Sequence, residues 1–378
     1  MQETGNAYSY NYLSRLTSVL HQLSGSTIDG AAYTLDNAGN RTAKTNELAG
    51  VTSNYAYDAI YELTGVTQGS TTTESYTFDP VGNRLSTLGV SPYDVNVSNE
   101  LTSTPSTTYT YDANGNTATE VVSSATTTFA WDYENRLTSV TLPGSGGTVT
   151  FKYDPFGRRI YKSSSTATSI FAYDVRNLIE ETNASGTAAA RYSQGFRIDE
   201  PLAMLRSGAT SYYEADGLGS VTSLSNSTGS LAQTYTFDSF GNTTASSGSL
   251  TNPFQYTARE WDPETSLYYY RARYLDANRG RFASEDLLRF KSGTNFYAYV
   301  RNSPVNLKDP TGLCFSDPLG LGICINICHA RAGVAKALCL IDELWVSDFD
   351  TSCSETVAAL ENACVEHCYK IYGQGSPK

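Results

Sequence analysis

The chain has no cysteine before residue 314 and a single histidine, His21, in the same stretch. Serine–histidine–aspartate and cysteine–histidine catalytic sites, and metal sites built on histidine, are therefore effectively excluded for residues 1–313. No apolar run reaches the roughly 18 residues of a membrane span, so none is expected. The segment from Met1 to Tyr8 has neither the basic nor the apolar region of a signal peptide, and none is predicted there.

Charged residues are also scarce. They make up 17% of the 378 residues, and the formal net charge is −12. This acidic balance argues against nucleic acid as the partner of the main body, because phosphate binding needs clustered Lys and Arg. Aromatic residues are plentiful instead, with 28 Tyr. Tyrosine and threonine favour strands, so the composition indicates β-structure.

A short unit recurs along the chain about every 20–25 residues. It reads aromatic-x-aromatic-Asp and is followed by a Gly-Asn or Asn-Arg turn. Residues i and i+2 of a strand share a face, so both aromatic side chains are predicted to lie on one side. The aspartate is predicted to cap the turn, and glycine supplies its positive φ angle. Clear copies begin at Tyr33, Tyr55, Tyr76, Tyr109, Phe129, Phe151, Phe171 and Tyr235, with a weaker copy at Tyr8.

Each unit is therefore predicted to be a β-hairpin. One hairpin alone is marginally stable in water, so neighbouring hairpins must stack into a continuous sheet. The aromatic and aspartate positions are interpreted as structural, since a motif repeated this often does not mark one active site.

The stretch from residue 268 to 313 carries motifs that the repeats lack. They are Arg273-Tyr-Leu-Asp276, Gly280-Arg-Phe-Ala-Ser284 and Asp309-Pro-Thr-Gly-Leu313. This block resembles the core segment that ends the shell of Rhs (rearrangement hotspot) proteins. These proteins are relatives of the YD-repeat shells of toxin-complex C components and teneurins, and the resemblance covers roughly residues 1–313. It implies an all-β spiral of stacked antiparallel hairpins, complete or incomplete as a shell.

The composition changes abruptly between Leu313 and Cys314, because all seven cysteines follow that point. Three domains are predicted. Residues 1–267 are hairpin repeats, residues 268–313 are the core segment, and residues 314–378 are a variable cysteine-rich tip.

The resemblance also implies that the core segment cleaves the chain after Leu313, between Leu313 and Cys314, with aspartates held near the bond. Asp286 is the candidate catalytic carboxylate, and Asp309 is a further candidate, although the motif does not assign the second aspartate. In such a pair one acid activates water while the other polarises the carbonyl group. Arg281 is a candidate for stabilising the developing charge. The alternative is structural: Asp286 caps a turn and pairs with Arg281.

A rival route uses Cys314 itself, whose thiol could attack the Leu313 carbonyl in an N-to-S acyl shift. No neighbouring residue in the sequence clearly supplies the base that this route needs.

Residues 314–378 are predicted to form a small α-helical hairpin, because they are rich in Ala, Leu, Val and Glu. Cysteines four residues apart share a helix face, so an antiparallel hairpin permits three nested disulfides. A zinc site on four of these thiolates is the alternative, and no other cofactor is expected. Disulfides imply an oxidising compartment. The predicted pairs are Cys324 with Cys368, Cys328 with Cys364, and Cys339 with Cys353.

Two functions from different classes fit these features. The first is a shell that encapsulates and delivers the tip as a toxin or effector, secreted or at the cell surface. Its partners are a missing N-terminal part of an Rhs shell or secretion-system components, and an immunity protein. The second is a non-enzymatic adhesion protein that binds glycans or proteins through exposed aromatic residues. A degenerate fragment of an Rhs protein is a third interpretation.

Overall fold

A computed structural model describes residues 4–313 of the chain. The chain separates into two units, Met1–Leu313 and Cys314–Lys378. The described residues form strands in antiparallel pairs with three short 3-10 helices, which confirms the all-β prediction for this part. The predicted helical hairpin of the tip lies outside the described residues.

The first sheet has eight strands whose order in space follows their order in the chain. They are β1 (Thr4–Tyr10), β2 (Leu16–Leu23), β3 (Ser26–Leu35), β4 (Arg41–Asn46), β5 (Val51–Tyr57), β6 (Leu63–Gln68), β7 (Thr71–Phe78) and β8 (Arg84–Thr87).

The second sheet has sixteen strands and is again sequential. Its strands are β9 (Asp94–Val95), β10 (Leu101–Thr104), β11 (Thr107–Tyr111), β12 (Thr117–Val122), β13 (Ala125–Trp131), β14 (Leu137–Thr141), β15 (Thr148–Tyr153), β16 (Arg159–Ser163), β17 (Thr168–Asp174), β18 (Asn177–Asn183), β19 (Ala188–Gln194), β20 (Pro201–Arg206), β21 (Ala209–Ala215), β22 (Val221–Ser225), β23 (Leu231–Phe237) and β24 (Thr243–Gly248).

The core segment and the residues just before it form a third, four-stranded sheet. Its strands are β25 (Glu260–Asp262), β26 (Leu267–Tyr270), β27 (Arg273–Asp276) and β28 (Arg281–Phe282), and the 3-10 helices are Tyr256–Ala258, Arg289–Lys291 and Val300–Asn302.

The repeat motif alternates in burial as the two-residue period of a strand requires. In Tyr109-Thr-Tyr111 the first ring is buried, the threonine is exposed and the second ring is partly buried. Phe151-Lys-Tyr153 repeats the same sequence of burial. In these copies the motif aromatics therefore face the interior, and the residue between them faces solvent. The weaker copy at Tyr8 differs, because Tyr8 and Tyr10 are both exposed.

The motif aspartates cap the hairpin turns as predicted. Asp112 Oδ1 accepts the N–H groups of Asn114 and Asn116, both at 2.9 Å, and Asp112 Oδ2 accepts the Asn116 side-chain amide at 2.9 Å. Glycine takes the positive φ in this turn, with φ 77° at Gly115, whereas in the turn after Asp132 the residue is Asn135, with φ 59°. The turn therefore depends on the aspartate more than on glycine.

The third sheet is buried against the repeats. Tyr268, Tyr269 and Tyr270 of β26 are at most 1% exposed. Tyr269 and Tyr274 pack in one cluster with Phe129, Phe151 and neighbouring repeat residues. The core segment is thus an interior element on which repeat hairpins pack, and this packing positions the charged groups described next. Within residues 4–313 there is no helix long and apolar enough to cross a membrane.

Candidate functional site

Arg273 is the centre of a buried charged cluster at the end of the core segment. Its Nη2 lies 2.7 Å from Asp286 Oδ2 and 3.4 Å from Asp309 Oδ2, and all three side chains are 3% exposed. Two carboxylates thus meet one guanidinium group away from water. Breaking such a buried pair from one side typically costs about 3–5 kcal/mol, since it leaves a buried charge unpaired.

Packing and backbone contacts fix the orientation of Arg273. Its guanidinium carbon lies 3.6 Å from the centre of the Phe282 ring. Its Nη1 donates to the Phe296 carbonyl at 2.9 Å, and its Nε donates to the Gly312 carbonyl. The same guanidinium group therefore contacts both carboxylates and the backbone one residue before Leu313.

Asp309 accepts hydrogen bonds from the backbone of the residues that follow it. Its Oδ1 accepts the N–H groups of Thr311 at 3.2 Å, Gly312 at 2.8 Å and Leu313 at 3.2 Å. The Asp-Pro-Thr-Gly-Leu segment is thereby folded around its own first side chain. The N–H group of Leu313, whose carbonyl belongs to the expected cleavage site, is held directly by this carboxylate.

Asp286 has an environment that favours its protonated form. Burial raises the pKa of Asp286, and this effect outweighs Arg273 and the hydrogen bonds from Leu288 and Ser292, which lower it. Asp286 also caps a local turn, because its Oδ1 accepts the Leu288 N–H at 2.8 Å. The turn-capping role expected from the sequence is present, but the arginine that pairs with Asp286 is Arg273.

Arg281, the arginine expected from the sequence, does not join the cluster of Arg273, Asp286 and Asp309. Its Nη2 donates to the Asn99 carbonyl, and its guanidinium carbon lies 4.6 Å from the centre of the Tyr297 ring. Burial lowers the pKa of Arg281. The structure thus brings Asp286, Asp309 and Leu313 together and does not bring Arg281 to them.

Arg273 is the residue that sequence reasoning did not select. It opens the Arg-Tyr-Leu-Asp motif, which is among the most specific parts of the block. The sequence therefore identifies the motif, but it does not show that the Arg273 side chain contacts the two aspartates.

Cys314 and the six cysteines of the predicted disulfides lie outside the described residues, so the disulfide and zinc alternatives both remain predictions. Within residues 4–313 no group of three or more His, Cys, Asp or Glu side chains is placed to hold a metal ion.

A sequential array of hairpins with buried aromatic residues and aspartate-capped turns, packed on an interior core segment, defines a YD-repeat shell protein of the Rhs type. The family described as Teneurin YD-shell matches residues 47–305. The chain belongs to this family.

Two similar proteins share parts of the sequence. The tRNA3(Ser)-specific nuclease WapA of Bacillus spizizenii is 32% identical over 273 residues, which are 68% of this chain and 12% of that protein. Toxin protein Tse5 of Pseudomonas aeruginosa is 33% identical over 123 residues, 32% of this chain and 9% of that protein. The chain therefore spans about an eighth or less of the length of these relatives.

Solved structures share the fold. The crystal structure of TcdB2-TccC3-Cdc42 superposes with a TM-score of 0.68 at 21% identity, over 82% of this chain and 18% of that chain. The Photorhabdus luminescens Tc holotoxin pore gives a TM-score of 0.68 at 20% identity, with the same coverage of 82% and 18%. The described residues thus share their fold with parts of these two structures.

Proposed function

We propose that residues 1–313 are the terminal part of a shell that encloses residues 314–378 and releases them by cutting the chain between Leu313 and Cys314. The observation that supports this is the meeting of Asp286 and Asp309 on Arg273, with Asp309 bonded to the Leu313 N–H group. Two carboxylates in unequal environments are what aspartyl-type hydrolysis requires.

The reaction is hydrolysis of one peptide bond. Asp309 takes a proton from a water molecule while the water oxygen bonds to the Leu313 carbonyl carbon. Asp286, whose pKa is raised by burial, acts as the acid and donates its proton to the carbonyl oxygen. The C–N bond then breaks as Asp309 gives the proton it took from water to the nitrogen of Cys314. A hydroxyl proton of the former carbonyl carbon returns to Asp286, which leaves the carboxyl group of Leu313 and the free amine of Cys314. Arg273, in place of Arg281, stabilises the negative charge that develops near both acids.

The test is the intact mass of the full chain and of single variants. The wild-type protein should give a C-terminal piece that begins at Cys314, and Asp286→Asn and Asp309→Asn should leave the chain uncut. Asp276→Asn is a matched control, because Asp276 is also buried and paired with an arginine, Arg279, of the same segment. It should cut normally. A folded wild-type chain that stays intact would contradict the proposal.

The same experiment separates the route through Cys314. If the Cys314 thiol were the nucleophile, Cys314→Ala would leave the chain uncut and Asp286→Asn would not. Hydrolysis by the carboxylates predicts the reverse.

Delivery of the tip as a toxin is the wider proposal. It is supported by the relatives, whose names include nucleases and a toxin protein. The burial of the motif aromatics also supports a shell over an adhesive surface, which needs exposed rings. The proposed location is outside the producing cell, with secretion-system components or further shell as partners. Residues 314–378 expressed alone in a bacterium should be toxic, and the product of the following reading frame, an immunity protein, should relieve the toxicity. Growth without any defect would contradict the effector function.

A further inference from the structure

The turn between β26 and β27 lies against the backbone just before the expected cut. The turn comprises Arg271 and Ala272 together with Arg273, the first residue of β27. Arg271 Nη1 donates to the Pro310 carbonyl, Ala272 N–H donates to the Thr311 carbonyl at 3.1 Å, and Arg273 Nε donates to the Gly312 carbonyl. Three consecutive residues of the turn thus hold three consecutive carbonyl groups.

The backbones of the two segments are in close contact. A Cβ atom placed on Gly312 would lie 2.3 Å from the Tyr270 carbonyl oxygen and 2.9 Å from the Arg273 nitrogen. Gly312 also has φ +70°. Only glycine fits this position without moving the turn.

Arg271 is itself held by a buried carboxylate. Its Nη2 lies 2.7 Å from Asp199 Oδ1, and the same oxygen accepts Arg259 Nη1 at 2.6 Å. Asp199 is 2% exposed at its side chain, whereas Arg271 is 17% exposed. The loop before β20, which contains Asp199, therefore anchors the side chain that reaches Pro310.

These contacts complete the hydrogen bonding of the segment. Asp309 accepts the N–H groups of residues 311, 312 and 313, while the turn takes the carbonyl groups of residues 310, 311 and 312. A shift of the segment by one residue would break both sets at once. Proximity effects fall steeply when a reacting group moves by about 1 Å, a change that can cost roughly 100-fold in rate.

We propose that Arg271, anchored by Asp199, is a positioning residue for the cut: it fixes the register of residues 310–312, so that the bond after Leu313 is presented to Asp286 and Asp309. This inference rests on the proposed self-cleavage. It assigns no chemical step to Arg271, which touches neither carboxylate of the Arg273 cluster in its described hydrogen bonds.

The test follows the cut over time after synthesis of the full chain in a cell-free translation reaction. Arg271→Gln should slow the cut roughly 10- to 100-fold and should add cuts at neighbouring bonds, seen by intact mass. Arg271→Lys should restore part of the rate, because one ammonium group cannot reach the Pro310 carbonyl and Asp199 as a planar guanidinium does. Asp199→Asn should resemble Arg271→Gln, and the double variant should be no slower than either single variant.

Arg206→Gln is the matched control. Arg206 is 16% exposed and pairs with Glu181 within the second sheet. It should cut at the wild-type rate and site. Rates refer to the folded fraction isolated by gel filtration, which removes the effect of a variant that folds poorly.

Two outcomes separate the positioning role of Arg271 from the self-cleavage on which it rests. If the wild-type chain is never cut, the proposed self-cleavage is wrong. If the wild-type chain is cut and Arg271→Gln cuts at the same rate and bond, the positioning role is wrong and the cleavage stands. Additive losses in the double variant would also overturn the positioning role, because they would show that Asp199 and Arg271 act separately.

Discussion

Asp286 and Asp309 meet at a single atom, Nη2 of Arg273, at distances of 2.7 and 3.4 Å. Each carboxylate has a different second environment. Asp286 caps a turn through the Leu288 N–H, and Asp309 binds the amides of its own segment. The two carboxyl groups therefore have different hydrogen-bond partners. This difference is the basis for assigning Asp286 as the acid and Asp309 as the base.

Replacing Arg273 should affect both stability and the cut. Arg273→Met leaves two buried carboxylates without their shared cation, so we expect a loss of about 3–5 kcal/mol in the free energy of unfolding and no cut. Urea unfolding and intact mass measure the two effects. Arg191→Met is the control: Arg191 is 63% exposed in its pair with Glu180, so its loss should change stability by less than about 1 kcal/mol. A stable, cutting Arg273→Met variant would contradict the role of Arg273.

The rate of the cut should fall as the pH rises. Burial raises the pKa of Asp286 above its ordinary value. The acid is fully protonated below its raised pKa and loses its proton as the pH passes through it. The first-order rate of the full chain, measured at several pH values from about 4 to 8, should decline on the alkaline side. A rate that climbs steadily with pH would argue for a thiolate nucleophile instead.

Gly312→Ala should be more harmful than a glycine replacement in an open turn. The new Cβ would collide with Tyr270 and Arg273 and would also carry the strain of φ +70°. Gly157→Ala is the control, because Gly157 has φ +77° and a Cβ added there would meet no atom within 4 Å. We expect a loss of about 1 kcal/mol for Gly157→Ala and a clearly larger loss, with a slower cut, for Gly312→Ala. Equal losses in thermal unfolding would contradict the close contact.

The turn aspartates should contribute individually to stability. Asp132→Ala removes the acceptor of the Glu134 and Arg136 N–H groups, both at 2.9 Å, so we expect a loss of about 1–2 kcal/mol. Glu134→Ala, in the same exposed turn, should change the free energy of unfolding by less than about 0.5 kcal/mol. Chemical denaturation of both variants tests the difference.

His21 should make the stability of the described unit depend on pH. Its Nδ1 lies 3.0 Å from Glu214 Oε2 and its Nε2 lies 2.9 Å from the Ala215 carbonyl, so acceptors face both nitrogens. Burial by itself lowers the pKa of His21, but Glu214, the Ala215 carbonyl and Asp29 outweigh it and raise the pKa. The folded state therefore favours the doubly protonated ring, which ties the first sheet to the second.

The sign of the effect follows from the raised pKa. The stabilisation by His21 is fully present below about pH 6.5 and is lost as the pH rises through the folded-state value. The free energy of unfolding should fall by at most about 1.4 kcal/mol per pH unit in that window. His21→Gln should lack this slope. A wild-type chain and a His21→Gln variant with parallel pH profiles would contradict the assignment.

Much of the repeat architecture was predictable, because it follows from local rules. The two-residue alternation of Tyr109-Thr-Tyr111 and the aspartate cap of the next turn depend only on residues close in sequence. The choice between Arg273 and Arg281 was not predictable in this way. Several arginines lie within a few residues of each other in the core segment, and the one that reaches Asp286 is Arg273, whose guanidinium group lies over the Phe282 ring.

Contacts between the sheets could not be predicted from the sequence either. His21 was recognised only as the single histidine of the repeats, and its partner Glu214 lies in β21 of the other sheet. No spacing rule connects the two residues. Such pairs are set by how whole sheets come together.

The turn that holds residues 310–312 has a consequence for what happens once the peptide bond is severed. Its hydrogen bonds to residues 310–312 all lie on the N-terminal side of the expected cut. The new chain end would therefore remain docked, as a bound product that blocks its own site. The proposed site would therefore act once per molecule. Under the proposed cleavage, severing the peptide bond and the departure of residues 314–378 would therefore be separate events.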